Sequence, residues 1–122
     1  MAHKILLIDD EKDFNELTST MLSFYDFDVR AYDNPAEIMD TVENESYDLI
    51  VTDLMMPNMD GFHFVEKIRS MEKYKETPII VLTAKTLNNE ERKFLLQKNV
   101  HLLGKPFEPQ GLVDQIRNLV NT

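Results

Sequence analysis

The chain has no cysteine and no tryptophan, and only three of its 122 residues are glycine. The lack of cysteine excludes a disulfide framework and a thiolate metal site, and predicts an intracellular, cytoplasmic protein. The sequence also lacks a glycine-rich GxxxxGK[ST] loop, which argues against a nucleotide hydrolase. Its apolar runs are only a few residues long, so neither a membrane-spanning helix nor a secretory signal is expected.

Basic residues are also scarce. The 22 Asp and Glu residues outnumber the 13 Lys and Arg residues, which gives a formal net charge of −9. Because nucleic-acid binding needs clustered basic side chains that neutralise phosphates, we expect no direct nucleic-acid binding by this chain. A hydrophobic content of 43% in 122 residues is enough for one globular domain over residues 1–122.

Short strand-like runs alternate with segments of helical spacing five times along the chain. Three of the runs are almost continuously apolar, which is typical of buried parallel strands. Parallel strands need crossovers, and here each crossover is a helix, so the sequence predicts an α/β fold with a doubly wound, five-stranded parallel sheet. The predicted strands are residues 4–8, 28–32, 49–52, 79–82 and 100–103.

Helix ends and buried helix faces are also predicted. Asn34-Pro35 is a typical helix start, and a later helix should begin at Asn88 or Asn89. Asn99 is a candidate for the left-handed residue that closes this later helix. On the first helix, the side chains expected to face the core at helical spacing are Phe14, Leu17, Met21 and Tyr25.

Polar side chains follow four of the predicted strands at the point where each strand ends. They are Asp9 and Asp10, Asp53, Thr83 and Lys105. Ligands of open α/β sheets gather beyond the carboxyl ends of the strands, so we expect these side chains to meet there. Read singly, Asp9 and Asp10 could only cap the first helix, and the other three could be ordinary loop, strand or surface residues.

Three carboxylates in one cleft repel each other strongly. At about 4 Å and an effective dielectric constant of 20, each close pair costs on the order of 4 kcal/mol. One lysine leaves a surplus of two negative charges, which a divalent cation would neutralise. Because the candidate ligands are all oxygen atoms, the cluster favours a hard ion such as Mg²⁺. One aspartate then remains free to attack a phosphoryl group, whose oxygens Thr83 and Lys105 would hold.

Four short motifs occur in order along the chain: IDDE, TDLMMPNMDG, LTA and GKPF. Each follows a different predicted strand, the first, third, fourth and fifth. Together they resemble the receiver domain of two-component response regulators, and the resemblance covers the whole chain. It implies a flavodoxin-like (βα)5 fold with the strands in the order 2-1-3-4-5.

The resemblance also implies roles at the acidic cluster. Asp53 would be the phosphoacceptor and would receive its phosphoryl group from the phosphohistidine of a histidine kinase. Asp10 would bind Mg²⁺ directly, and Asp9 would assist through water. The backbone carbonyl of Met55 would be a further metal ligand.

Thr83 and Lys105 would contact the acyl phosphate, and the Lys105–Pro106 bond would be cis. Met55 and Lys85 would flank the phosphoryl group and influence its hydrolysis. Phosphorylation would draw Thr83 inward and change the surface formed by the fourth helix, fifth strand and fifth helix.

The implied function is that of a phosphorelay receiver, a phosphoacceptor rather than a turnover enzyme. Its partners would be a sensor histidine kinase or phosphotransfer protein and a downstream output domain or protein, with no membrane contact. Many receivers have an aromatic residue where this chain has Leu102, three residues before Lys105. This difference keeps open the alternative of a receiver-like adaptor that acts without phosphorylation. An aspartyl-phosphate phosphatase is disfavoured because Met55 stands where that class has a second aspartate.

Overall fold

Five parallel strands form one sheet, in which the strands numbered along the chain lie in the order 2-1-3-4-5. This computed structural model describes residues 2–34, 37–56, 59–84, 86–105 and 107–120, and only the backbone of residues 55, 56 and 59. The predicted α/β class and strand order 2-1-3-4-5 are confirmed. The strands are β1 (Lys4–Ile8), β2 (Asp28–Tyr32), β3 (Leu49–Asp53), β4 (Ile79–Thr83) and β5 (His101–Gly104).

A helix follows each strand. The helices are α1 (Lys12–Phe24), α2 (Ile38–Asn44), α3 (Gly61–Ser70), α4 (Asn89–Gln97) and α5 (Pro109–Val120). A short 3₁₀ helix, Glu72–Tyr74, follows α3, and two two-residue strands, Met55–Met56 and Met59–Asp60, pair antiparallel between β3 and α3. Within the described ranges, no helix is both long and apolar enough to cross a membrane.

The two faces of the sheet carry separate hydrophobic layers because successive strand residues point to opposite faces. Leu6, Ile50 and Val81 pack with buried residues of α2, α3 and α4 in what we call the first core layer. Leu7 and Val51 pack with buried residues of α1 and α5 in the second core layer. Both faces of the sheet are therefore covered, as the continuously apolar strands predicted.

The predictions of helix ends and buried helix residues were partly correct. Asn88 caps α4 in a capping box with Glu91, and Asn99 has the predicted left-handed backbone with φ of 56°. Pro35 lies outside the described residues, and the α-helix that follows it is described from Ile38. The prediction for Leu17 was wrong because this side chain is 71% exposed.

The buried positions of α1 include two polar residues, Asn15 and Thr18, together with Leu22. Helical spacing in the sequence selected a more apolar stripe that includes Leu17. The face that actually packs on the sheet carries Asn15 because this side chain has hydrogen-bond partners there.

Candidate functional site

The register of the sheet brings the carboxyl ends of four strands to one edge. Ile8 pairs with Thr52, Asp53 with Leu82, and Thr83 with Gly104. The residues that follow or end these strands therefore come together. They are the sequence-predicted Asp9, Asp10, Asp53, Thr83 and Lys105.

Asp9 is completely buried where β1 gives way to α1. One carboxylate oxygen accepts the backbone N–H of Glu11 at 3.0 Å, and the other accepts the Lys105 ammonium at 2.9 Å. Asp9 thus satisfies a free N–H at the start of α1 and also faces the site. This carboxylate is therefore in contact with both the start of α1 and the lysine of the cluster.

Asn15, on the buried face of α1, joins the ends of two strands. Its amide Nδ2 donates to the carbonyl of Asp9 at 2.9 Å and to the carbonyl of Tyr32 at 2.8 Å. The ends of β1 and β2 are thereby tied to one side chain of the helix. A role for Asn15 was not predicted from the sequence, where its only indication is a polar residue on the first helix.

Asp53 ends the central strand β3 and is 6% exposed. The chain turns sharply after it, and the Gly61 N–H donates to the carbonyl of Leu54 at 3.1 Å. A Cβ atom on Gly61 would lie 2.4 Å from that carbonyl oxygen, so glycine is required for the backbone to approach this closely. Asp60 then caps α3 by accepting the N–H of Phe62 at 2.9 Å.

Lys105 lies at the centre of the cluster and its side chain is 11% exposed. Its ammonium lies 2.9 Å from an oxygen of Asp9, 3.2 Å from an oxygen of Asp53 and 3.5 Å from an oxygen of Glu11. Its backbone N–H donates to the carbonyl of Thr83 at 2.8 Å, which continues the pairing of β4 with β5. Thr83 itself is 7% exposed at the end of β4.

Burial and charge oppose each other in this cluster. Burial raises the pKa of the Asp9 carboxyl, although the hydrogen bond from Lys105 and the N–H of Glu11 act to lower it. Burial alone would lower the pKa of Lys105, but its hydrogen bond to Asp9 and the negative charges of Asp53 and Asp9 outweigh it, so the pKa of Lys105 is raised. Lys105 is therefore held in its protonated, cationic form among these carboxyl groups.

The three aspartates can reach a single ion. Asp9, Asp10 and Asp53 each offer a carboxylate oxygen, and these atoms all lie within 4.8 Å of one another. An all-oxygen set with a net negative charge suits Mg²⁺, so the residues present fit this ion. Met55 follows in the first two-residue strand after β3. Pro106 and Lys85, for which the resemblance implied a cis bond and a place beside the phosphoryl group, lie outside the described residues.

Known proteins with similar sequences belong to one family. A family model described as the response regulator receiver domain matches residues 5–117. The hybrid signal transduction histidine kinase D of Dictyostelium discoideum is 37% identical over 116 residues, which cover 95% of this chain and 7% of that protein. The transcriptional regulatory protein GltR of Pseudomonas aeruginosa is 36% identical over 120 residues, which cover 98% of this chain and 49% of that protein. The chain thus spans about half or less of the length of these curated relatives.

Two solved structures superpose closely on the chain. The chemotaxis protein CheY4 of Vibrio cholerae gives a TM-score of 0.88 at 28% identity, with 98% of this chain and 99% of that chain covered. The receiver domain of a sensor histidine kinase from Pseudomonas aeruginosa PAO1, described with a magnesium ion coordinated in its active-site cleft, gives 0.87 at 27% identity, with 100% of both chains covered. The matched residues, the sheet order and the carboxylate cluster agree, and the chain belongs to the family of response regulator receiver domains.

Proposed function

We propose that Asp53 is the phosphoacceptor of this receiver domain of two-component signalling. The observation that carries the proposal is the position of Asp53 between the other two aspartates of the cluster and Lys105. Its carboxylate lies within reach of the acidic pair Asp9 and Asp10 and also accepts a hydrogen bond from Lys105. It is the carboxylate at the end of the central strand, and ligands of open α/β sheets bind beyond the carboxyl ends of the strands.

The transfer requires an attack by one oxygen of the Asp53 carboxylate on the phosphorus of a phosphohistidine. The new O–P bond makes an acyl phosphate, and the N–P bond breaks with its electron pair moving to the imidazole nitrogen, which then takes up a proton. Lys105 supplies a positive charge to the phosphoryl oxygens, and the Thr83 hydroxyl offers a donor at the end of the neighbouring strand. Later attack by water on the phosphorus releases inorganic phosphate and restores the carboxylate.

Asp10, Asp53 and the backbone carbonyl of Met55 are the proposed direct Mg²⁺ ligands, and Asp9 is proposed to assist through water. The ion, when bound, would neutralise charge that develops on the phosphoryl oxygens. The buried carboxylate of Asp9 is held by the Glu11 N–H and Lys105, which fixes its direction before any ion arrives. Asp10, which is only half-buried, is open to the approaching ion.

The proposed partners are a sensor histidine kinase or phosphotransfer protein and an output domain or protein. Relatives of both kinds, a hybrid histidine kinase and transcriptional regulators, share this domain. We further propose that movement of Thr83 changes the surface formed by α4, β5 and α5. On β5, Leu102 packs against the first core layer, together with Phe94 of α4. Because this position carries leucine where many receivers have an aromatic residue, the contact between β5 and that layer is aliphatic.

The test is intact-mass analysis after incubation with acetyl phosphate, with and without Mg²⁺. The wild-type protein should gain one phosphoryl group only with Mg²⁺, and Asp53→Asn should gain none. Asp60→Asn is the matched control, because asparagine remains a good helix cap at the exposed end of the same loop. It should gain the phosphoryl group as the wild type does.

Two results would count against the proposal. Retained labelling of Asp53→Asn would move the phosphoacceptor elsewhere. The absence of an adduct on the wild-type protein, together with no binding of beryllofluoride, would favour the receiver-like adaptor that acts without phosphorylation. Circular dichroism of each variant shows whether the fold is intact.

A further inference from the structure

The ring of Phe14 lies directly against the ammonium group of Lys105. The Lys105 Nζ atom is 4.3 Å from the centroid of the ring, well inside the distance at which an aromatic face attracts a cation. Phe14 lies in the first turn of α1, and its ring is partly buried against the second core layer. Neither end of this contact is therefore a freely moving surface side chain.

A second aromatic residue fixes the orientation of the Phe14 ring. The rings of Phe14 and Phe107 meet at 90° with their centroids 5.7 Å apart, which is a favourable edge-to-face geometry. Phe107 also packs against the second core layer. The Phe14 ring is thus held by core packing and by the segment that follows Lys105, with the ammonium against the ring.

Within the described part of the chain, the other partners of the ammonium are carboxylates. They are the oxygens of Asp9, Asp53 and Glu11, and a lysine has three donors for them. In the proposed function, the Asp53 carboxylate carries the phosphoryl group and Asp9 binds a water of the metal ion, so both carboxylates then share their negative charge with partners other than Lys105. The contact with Phe14 uses no oxygen and can persist through such a change.

We propose that Phe14 is a positioning residue for Lys105, whose ring holds the ammonium toward the reacting oxygens when its carboxylate partners are engaged elsewhere. This inference rests on the proposed function. It predicts that the electrostatic character of the ring matters as well as its volume. Replacement of ring hydrogens by fluorine withdraws negative charge from the ring face and changes the shape little, which separates the two contributions.

The experiment places phenylalanine carrying one, two or three ring fluorines at position 14 of the full chain. The rate of labelling by acetyl phosphate and the affinity for beryllofluoride should both fall stepwise, by roughly threefold to tenfold over the series, as expected for a partly desolvated cation–ring contact. The same series at Phe27, which is buried in the same core layer, is the matched control and should leave both values unchanged. A flat series at position 14 would overturn the inference.

A second readout does not depend on activity. The ε-CH₂ protons of Lys105 should resonate upfield because they lie against the ring. Phe14→Leu should abolish this upfield shift, and Phe14→Tyr, which keeps an aromatic ring, should retain it. The shift should persist when beryllofluoride and Mg²⁺ are added. Its disappearance on loading would show that Lys105 leaves Phe14 in the active state, which contradicts the proposal.

Lys105→Ala separates positioning from a purely structural role. In this background the fluorine series at position 14 should have no graded effect on the residual labelling, because the cation is gone. A graded effect that survives without Lys105 would assign Phe14 to packing alone. Failure of the proposed function looks different: the wild-type protein itself would then form no adduct at Asp53.

Discussion

At the scale of single residues, the most consequential feature is the excess of negative charge around Lys105. Asp9, Asp10 and Asp53 offer oxygens within 4.8 Å of one another, and Glu11 adds a fourth carboxylate 3.5 Å from the ammonium. One cation cannot compensate all of them. The metal-free fold therefore carries electrostatic repulsion that a bound divalent ion would relieve.

Asp10→Asn should stabilise the metal-free protein by about 1 kcal/mol, because it removes one of the repelling charges from a half-buried position. The same variant should lose most of the stabilisation that Mg²⁺ gives the wild type, since one proposed ligand is gone. Urea denaturation in EDTA and in excess Mg²⁺ measures both effects.

Asp13→Asn is the control for that prediction. Asp13 lies in the first turn of α1, where an acid stabilises the helix dipole, so its loss should lower stability slightly in both conditions. A destabilised Asp10→Asn protein in EDTA, or an undiminished effect of Mg²⁺ on it, would contradict the proposed repulsion or the proposed ligand set.

At the scale of elements, the loop between β3 and α3 depends on one close backbone contact. We expect Gly61→Ala to destabilise the protein by about 2–4 kcal/mol, because the added Cβ would lie 2.4 Å from the carbonyl oxygen and 2.8 Å from the Cα of Leu54. Those atoms are backbone and cannot rotate away. Thermal or urea unfolding measures the loss.

Gly111→Ala gives the opposite expectation and serves as the control. Gly111 lies within α5, and a Cβ there would meet no described atom within 4 Å beyond its chain neighbours and the backbone of its own helix. Alanine should stabilise this helix by roughly 0.5–1 kcal/mol relative to glycine. Equal effects of the two substitutions would show that the tight approach at Gly61 is not a constraint on the loop.

The ends of two helices are joined by the guanidinium of Arg69, at the C-terminal end of α3. It donates to the carbonyls of Lys98 at 2.8 Å, Tyr74 at 2.7 Å, Thr77 at 2.6 Å and Asn99 at 3.2 Å. These carbonyls belong to the 3₁₀ helix, the entry to β4 and the exit of α4. One side chain thereby fixes the far end of α4, the helix whose other end lies near the proposed site.

Arg69→Met should destabilise the protein by about 2–3 kcal/mol, since it leaves several partly buried carbonyls without their charged donor. Arg69→Lys should recover only part of this, because a single ammonium cannot reproduce the planar fork. Arg92→Met is the control and should cost little, since the bond from its side chain to the Leu87 carbonyl is long at 3.4 Å. Equal losses for Arg69→Met and Arg92→Met would refute the proposed role of Arg69.

At the scale of the whole molecule, a signal at the proposed phosphoacceptor Asp53 would have to pass from the central strand to the surface of α4, β5 and α5. We expect beryllofluoride with Mg²⁺ to change amide hydrogen exchange in α4 and β5, with little change at the opposite edge strand β2. Mass spectrometry of peptic peptides measures this. Unchanged exchange in α4 and β5, in a protein that binds beryllofluoride, would argue that Leu102 does not transmit the change.

Much of this architecture could be predicted from the sequence because it follows from local rules. Apolar runs predicted β1, β3 and β4, and the capping residues Asn88 and Asn99 bounded α4. The polar residues at strand ends predicted which side chains meet, because parallel strands place their carboxyl ends at one edge. The predicted burial of Leu17 was wrong, because the periodicity of a helix shows which residues share a stripe but not which stripe faces the sheet.

The sequence by itself determined the fold class, the order of the elements and the chemical types gathered at the sheet edge, since these depend on residues close together in the chain. Only the tertiary structure decided that Asn15 ties β1 to β2, that Arg69 joins α3 to the end of α4, and that Phe14 faces Lys105. Apart from the bond between Asn15 and Asp9, these contacts join segments far apart in sequence. Their geometry depends on how the helices rotate and pack on the sheet, and no local pattern specifies that.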